Sequence, residues 1–156
     1  LTLEMNKRLS EGPYREIIFE VRVRTNDGAI SAPTKIRVNN PTPTVPSLTV
    51  VADDQGNAVI TILAPSSNAD FGGYRVWMDD TTGFDPDETN LVFQGTSTEI
   101  RIAIPVGQVR YFRVAEFDSL SKTVLDCTIS SEYSVTGYRS SSRESALLHI
   151  RSRRTV

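Results

Sequence analysis

The feature that most constrains this chain is a two-residue alternation of apolar and polar side chains. Between residues 17 and 23 the apolar positions are Ile17, Phe19, Val21 and Val23. Successive side chains of a β-strand point to opposite faces, so this spacing predicts a strand that places these four residues in a core. The sequence from Asn26 to Gly28 favours a hairpin turn. The alternation resumes at Ile36 and Val38, and together these segments predict a β-hairpin.

A proline-rich segment divides the chain. Residues 41–46 contain three prolines, which disfavour a central strand and stiffen an extended backbone, so we interpret them as a linker. Seven short β-prone stretches then alternate with turn residues over roughly 100 residues, as is typical of a two-sheet antiparallel sandwich. The predicted strands are 47–52, 58–63, 74–78, 91–94, 99–104, 109–117 and 132–136. We expect a complete module over 47–137 and a basic extension over 138–156.

The alternating pattern occurs twice. Residues 19–28 followed by 31–38 align with residues 110–119 followed by 130–137, if the second copy has a longer loop. The two copies agree in pattern more than in identity. Residues 1–40 are then expected to be the last strands of a first unit, and a remnant of two or three strands is marginal alone. We therefore expect the rest of that unit to lie upstream.

Cysteine content and charge exclude several classes of protein. The single cysteine, Cys127, cannot form an intrachain disulfide, so stability has to come from packing. Residues 1–137 carry 12 Lys and Arg against 18 Asp and Glu, whereas residues 138–156 carry five Arg and one Glu. Because phosphate binding needs a cationic surface, the acidic body disfavours nucleic acid as a partner. The longest apolar-rich run, residues 58–64, is too short to cross a bilayer, so we expect no membrane insertion.

Several segments together resemble a known family. They are Pro46, VITILAP at 59–65, GYRVW at 73–77, IPVGQVRYFRV at 104–114, and the Ser-Glu-Tyr-Ser run at 131–134. This combination resembles a fibronectin type III module, over residues 44–137 fully and over 1–40 in part. The resemblance implies an all-β fold: an antiparallel seven-stranded sandwich, fibronectin type III or immunoglobulin-like, preceded by the C-terminal strands of a second such module.

The chain departs from the family pattern at its aromatic positions. Ile62 stands where the family has a tryptophan, the only tryptophan is Trp77, and Arg110 occupies the usual tyrosine position of the sixth strand. Two registers of that strand are therefore open. Either Phe112 and Val114 face the core, which the repeat favours, or Tyr111, Ala115 and Phe117 do, and a one-residue bulge could reconcile both sets.

A narrower resemblance concerns the region that begins with the third predicted strand. Residues 73–102 are similar to fibronectin type III modules in the host-specificity proteins of tailed bacteriophages, with GYRVW followed by GFDP and by a Val-x-x-Gly turn. It implies a non-catalytic structural and interaction module of a tail tip or host-recognition fibre, located in the virion tail. Its partners would be other copies of itself in a homotrimer, neighbouring tail proteins and a host cell-surface receptor. The alternatives are a spacer of a secreted bacterial carbohydrate-active enzyme and a cell-surface adhesion module.

Catalytic residues are not evident. Catalysis requires a base near a nucleophile or paired carboxylates in a cleft. The only histidine, His149, lies in the basic extension, which has no Asp to complete a triad with Ser145. Cys127 has no histidine in its own module, and we interpret it as a small buried hydrophobe in or beside the long loop. We expect neither enzyme activity nor a cofactor.

The acidic segment 79–88 offers oxygen ligands of the kind that Ca²⁺ prefers. It lacks EF-hand spacing, and Pro86 stiffens its middle. Charged loop runs usually lie at the surface, so a solvated loop is favoured over a metal site, and we assign no metal ligands. Phe84 is expected to fold back over the edge of the sandwich.

Two segments are candidates for binding a partner. The first is the 118–129 loop between the last two strands, with candidate residues Ser119, Leu120, Lys122, Val124 and Leu125. Packing of Val124, Leu125 and Ile129 onto the sandwich, or an additional edge strand, is the slightly favoured alternative. We expect residues 66–71, between the second and third strands, to lie at the same end of the sandwich as this loop. The second is a docking tail with candidate residues Leu147, Leu148, Ile150, Arg151, Arg153 and Arg154. Its basic residues suit the acidic modules of neighbouring subunits at least as well as phosphates or a membrane surface, and a disordered terminus is a further alternative.

Overall fold

The computed structural model describes residues 14–140, and that part of the chain contains ten β-strands and no helix. The strands are β1 (Glu16–Val21), β2 (Thr34–Asn39), β3 (Leu48–Ala52), β4 (Asn57–Ile62), β5 (Phe71–Asp79), β6 (Leu91–Gly95), β7 (Glu99–Ala103), β8 (Val109–Asp118), β9 (Thr128–Ile129) and β10 (Tyr133–Thr136). Strands β3 to β8 and β10 are the seven predicted from sequence, each within three residues at either end. The short β9 is the additional edge strand that the sequence left open.

The strands of the sandwich form two antiparallel sheets. One sheet has the order β3-β4-β7. The other has the order β10-β8-β5-β6, with β9 also pairing with β8. This division of the strands defines a fibronectin type III-like β-sandwich.

The main core lies between the two sheets. Tyr74 and Val76 of β5 and Phe112 and Val114 of β8 are fully buried there. The opposing sheet contributes Ala58, Ile60, Ile62 and Ile100 to the same cluster. The register that places Phe112 and Val114 inward is therefore confirmed, and Ile62 is a core residue at the position where the family has a tryptophan.

A second, smaller cluster covers the outer face of the larger sheet. Trp77 and Ala115 are fully buried there, and Phe84 from the loop after β5 packs against them. Phe84 does fold back, as expected, but it covers the face of the sheet rather than its edge. Tyr111 lies against this cluster too, so β8 packs on both of its faces without a bulge. This sheet has two register shifts, one between Phe71 and Gly73 where β5 pairs with β8, and one between Val76 and Trp77 where β5 pairs with β6.

The hairpin forms as predicted, but its apolar face is open. Ile17 pairs with Val38 and Phe19 with Ile36, and Gly28 closes the turn with a positive φ of 93°. The expectation that Val21 and Val23 lie in a core is wrong for the described residues, where they are 46% and 64% exposed. The physical reason is that no described strand covers that face of the hairpin.

Candidate functional site

The hairpin is attached to the sandwich through Arg15, the residue that precedes β1. Its guanidinium donates two hydrogen bonds to the carboxylate of Asp118, from Nη1 to Oδ2 at 2.8 Å and from Nη2 to Oδ1 at 3.1 Å. Asp118 is the last residue of β8 and only 3% exposed. Arg15 also donates to Asp126 Oδ1 at 3.3 Å and to Ser121 Oγ at 3.3 Å. These four residues form what we call the junction.

The junction favours the ionised form of the Asp118 carboxylate. Burial is the largest single influence and acts to raise the pKa of Asp118, but the hydrogen bond and charge of Arg15, together with hydrogen bonds from Ser121 and Leu120, leave the pKa below its ordinary value. The pKa of Arg15 is raised in turn, chiefly by its hydrogen bond to Asp118. Asp118 also accepts hydrogen bonds from the Leu120 amide and the Ser121 hydroxyl. The ion pair is therefore both geometrically specific and fully satisfied.

The 118–129 loop is supported from the sheet by a second arginine. Arg75 of β5 is 5% exposed, and its guanidinium lies over the Phe117 ring at 4.1 Å. Its Nη1 donates to the carbonyl oxygens of Thr123 at 2.9 Å and Val124 at 3.1 Å, and its Nε donates to Gln94 Oε1. A buried cation satisfied by loop carbonyls restrains the loop in one conformation.

The five predicted loop residues have different environments. Leu120 is buried at 2% exposure, and Val124 is half-buried with its carbonyl oxygen on Arg75. The Ser119 amide donates to the Asp70 carbonyl, which confirms that the segment before β5 lies at the same end as the loop. Lys122 and Leu125 are exposed. The structure brings the loop against the hairpin of the same chain, and contact with another molecule stays a prediction.

Two further contacts lie close to the junction. Asn40 Nδ2 donates to Asp70 Oδ2 at 2.7 Å, and Lys122 lies 5.2 Å from the centre of the Tyr14 ring. A groove of about 290 Å³ lies between residues 40–44 and the end of the sandwich. Its two carboxylates, Asp70 and Asp118, are both engaged by side chains of this chain. The groove therefore belongs to the junction.

The hairpin and the end of the sandwich share one hydrogen-bond pattern. The Val23 amide donates to Ser31 Oγ at 3.0 Å, and the Val114 amide donates to Ser130 Oγ at 2.9 Å. Each serine amide donates back to the carbonyl oxygen of the same valine at 2.9 Å. Residues that the sequence repeat aligns thus make the same contacts in both copies.

The acidic loop directs its carboxylates to its own backbone. Asp87 accepts hydrogen bonds from Thr89 and Asn90, and the Thr89 hydroxyl is the main cause of the lowered pKa of Asp87. Glu132 accepts from the Gly83 amide and the Thr82 hydroxyl and so ties the loop to the start of β10. No group of three or more His, Cys, Asp or Glu side chains that could hold a metal occurs within residues 14–140.

The other residues considered from the sequence as reactive or binding groups do not lie at the junction within the described residues. Cys127 is half-buried beside the Trp77 cluster, and burial is the main reason that its pKa is raised, which leaves less reactive thiolate. His149 and all six residues of the docking tail lie outside the described residues. Among the described residues no helix is long and apolar enough to span a membrane.

The site residues predicted from the sequence do not include Arg15, Asp118 or Arg75. Arg75 could have been noticed, because it is a charged residue between the apolar neighbours Tyr74 and Val76 in a predicted strand. Asp118 could also have been noticed, as a carboxylate directly after the predicted sixth strand. No sequence pattern points to Arg15, since its partner is 103 residues away in the chain.

No family model matches the chain, and no curated protein matches it. Among solved structures, one match is a crystal structure of the FN1–FN3 domains of chicken CNTN1, at 16% sequence identity and a TM-score of 0.46. The match covers 77% of this chain and 43% of that chain, so this chain spans less than half the length of the structure it matches. The strand order and core described above define the fold as fibronectin type III-like.

Proposed function

We propose that this chain is a non-catalytic, stiff spacer and interaction module in which the hairpin and the sandwich are held at one fixed orientation. The observation that carries the proposal is the two-point ion pair between Arg15 and Asp118. Two hydrogen bonds from one planar guanidinium define an orientation as well as a distance, which a single surface ion pair does not.

Two further contacts and the composition of the linker support a stiff connection. Asn40, directly before the linker, donates to Asp70, and Arg15 Nη1 lies 3.5 Å from the Pro41 carbonyl oxygen. The linker itself is rich in proline. Proline-rich segments resist bending because their φ angle is restricted. Both ends of the hairpin are therefore tethered to the same end of the sandwich.

Residual dipolar couplings measured by NMR test the stiffness. We expect the amides of β1 and β2 to fit the same alignment tensor as those of β5 and β8. Arg15→Gln should give the hairpin a smaller, separate alignment, whereas Arg37→Gln, an exposed arginine paired with Glu16 at 3.3 Å, should not. Separate alignment of hairpin and sandwich in the unmodified protein would refute the proposal.

The biological setting that we propose is a bacteriophage tail tip or host-recognition fibre, in which the protein is a homotrimer of the virion tail. Its support is the similarity of residues 73–102 to phage host-specificity modules, and a stiff spacer suits a fibre that joins a tail hub to a receptor-binding end. Light scattering on the full-length protein should give the mass of a trimer. A monomer would favour the alternative of a spacer in a secreted bacterial carbohydrate-active enzyme, and binding to carbohydrate or a cell surface would favour that alternative or an adhesion module.

A further inference from the structure

The Arg15 side chain uses every nitrogen of its guanidinium at the junction. Nη1 and Nη2 donate to the two oxygens of the Asp118 carboxylate, Nε donates to Asp126 Oδ1, and Nη2 also donates to Ser121 Oγ. A lysine ammonium is a compact point charge and cannot present donors in this planar, forked arrangement. The acceptors therefore match the shape of a guanidinium as well as its charge.

The loop holds these acceptors in place without help from Arg15. The Leu120 amide donates to Asp118 Oδ1 at 3.0 Å, and the Lys122 amide donates to Asp126 Oδ2 at 3.0 Å. Ser121 Oγ lies 2.8 Å from the carbonyl oxygen of Asp126. All of these contacts lie within residues 118–126. Groups that are oriented before a ligand arrives lose less conformational freedom when it binds.

The larger sheet anchors the same loop segment at two points. Asp118 is the last residue of β8 and is only 3% exposed, so the segment begins at a fixed position. Arg75 of β5, itself 5% exposed, donates to the carbonyl oxygens of Thr123 and Val124 in the middle of the segment. The acceptors for Arg15 are therefore supported by the sandwich and not by the hairpin.

The junction is open to solvent on one side. The Arg15 side chain is 21% exposed, and Asp118 also lines the groove of about 290 Å³ beside residues 40–44. Removal of the Arg15 side chain uncovers the acceptors further. A small cation in solution can then reach the Asp118 carboxylate.

We propose that residues 118–126 form a preformed binding site for an arginine side chain, which selects a guanidinium over an ammonium group and which Arg15 occupies in this chain. The inference rests on the proposed function, because Arg15 is the contact that carries it, and it adds what the site recognises. In the absence of the Arg15 side chain, the same loop binds an alkylguanidinium supplied from solution or an arginine presented by another polypeptide.

Chemical rescue of Arg15→Ala in the full-length chain tests the proposal. N-Ethylguanidinium has the charge and the shape of the lost group, whereas ethylammonium has the charge alone. At constant ionic strength, N-ethylguanidinium should change the NMR chemical shifts of the amides of residues 118–126 saturably. We expect half-saturation at about 10 mM, as for a ligand of this size. Ethylammonium should require at least about a tenfold higher concentration, because it cannot form the forked hydrogen bonds.

Arg37→Ala is the matched control. It removes an exposed arginine that pairs with Glu16 at 3.3 Å, and it leaves Arg15 in the site. The same amides should then show no saturable change with either cation. In Arg15→Ala, equal half-saturation for the two cations would overturn the selectivity, and the lack of a saturable change with N-ethylguanidinium would overturn the preformed site.

A second variant, Arg15→Lys, keeps the test decisive if Arg15→Ala does not fold. Its positive charge is retained, so a site that recognises charge alone would leave the urea midpoint of Trp77 fluorescence unchanged, and that result would overturn the proposal. We expect a midpoint closer to that of Arg15→Gln than to that of the unmodified protein.

The residual dipolar couplings described above distinguish this inference from the proposed function. A hairpin aligned with the sandwich, together with no preference for N-ethylguanidinium, would overturn the inference alone. A hairpin aligned separately in the unmodified protein, together with selective binding of N-ethylguanidinium to Arg15→Ala, would support the arginine site and overturn the stiff spacer.

Discussion

Removing the Arg15 guanidinium should destabilise the sandwich, although Arg15 lies outside it. Trp77 is the only tryptophan and is fully buried in the sandwich, so its fluorescence reports the unfolding of that unit alone. In Arg15→Gln, the carboxylate of Asp118 stays buried and loses its cation. A shift in the midpoint of unfolding detected by Trp77 fluorescence therefore measures how much the contact between the hairpin and the sandwich stabilises the sandwich.

The exposure of the two side chains sets the expected loss in the free energy of unfolding. Exposed ion pairs contribute about 0–1 kcal/mol, and removal of one member of a buried pair costs about 3–5 kcal/mol. Here the Arg15 side chain is 21% exposed and that of Asp118 only 3%, and Asp118 keeps its hydrogen bonds from Leu120 and Ser121. We therefore expect a loss of about 2 kcal/mol, between these two limits. For a small domain this corresponds to a midpoint lower by about 1 M urea.

A double-mutant cycle separates the ion pair from its surroundings. Asp118→Asn preserves the size of the side chain and removes its charge, so the double variant should lose less than the two single variants added together. Arg37→Gln is the control, because its pair with Glu16 is exposed on both sides and should contribute less than about 0.5 kcal/mol. Equal urea midpoints for Arg15→Gln and Arg37→Gln would refute the reasoning.

Three further predictions concern acid, the backbone and the second cluster. The pKa of Asp118 lies below its ordinary value of 3.8. The stabilisation from its charge is therefore complete above the unfolded pKa and is lost as the pH falls through the folded pKa. In Asp118→Asn, the free energy of unfolding should fall less steeply as the pH is lowered through this range. Gly73→Ala should cost about 3 kcal/mol in urea unfolding, because at a φ of 144° its Cβ would lie 2.5 Å from a carbonyl oxygen of β6. Gly83→Ala, where φ is also positive but no atom lies within 4 Å, should cost about 1 kcal/mol, and equal costs would contradict the steric argument. Phe84→Ala should cost about 3 kcal/mol and shift the Trp77 emission to longer wavelength, whereas an unchanged spectrum would show that Phe84 does not shield the ring.

Much of the fold could be predicted because strand geometry is local. The alternation of apolar residues located the strands of the sandwich, and the turn residues located the breaks between them. The repeat that the sequence shows is matched in the structure, where the aligned residues have equivalent cross-strand partners: Val21 pairs with Thr34, and Phe112 pairs with Tyr133. The burial of both faces of β8 was harder to predict, because the cover of its outer face comes from Phe84 in a distant loop.

The candidate site was predicted less completely. The 118–129 loop was predicted from its length, and it lies at the same end of the sandwich as the segment before β5, as expected. That Arg75 from the sheet restrains this loop, and that Arg15 from the hairpin contacts it, was not predicted. Those contacts depend on which chain segments meet at one end of the sandwich, and a local pattern carries no information about that.

By itself, the amino-acid sequence determined the periodicity: where the chain extends, where it turns and which side chains share a face. These properties follow from the backbone geometry of a few neighbouring residues. The tertiary structure alone decided that Arg15 meets Asp118, and that the apolar face of the hairpin has no cover within residues 14–140. Both depend on long-range packing, in which residues far apart in sequence become neighbours only after the sheets have assembled.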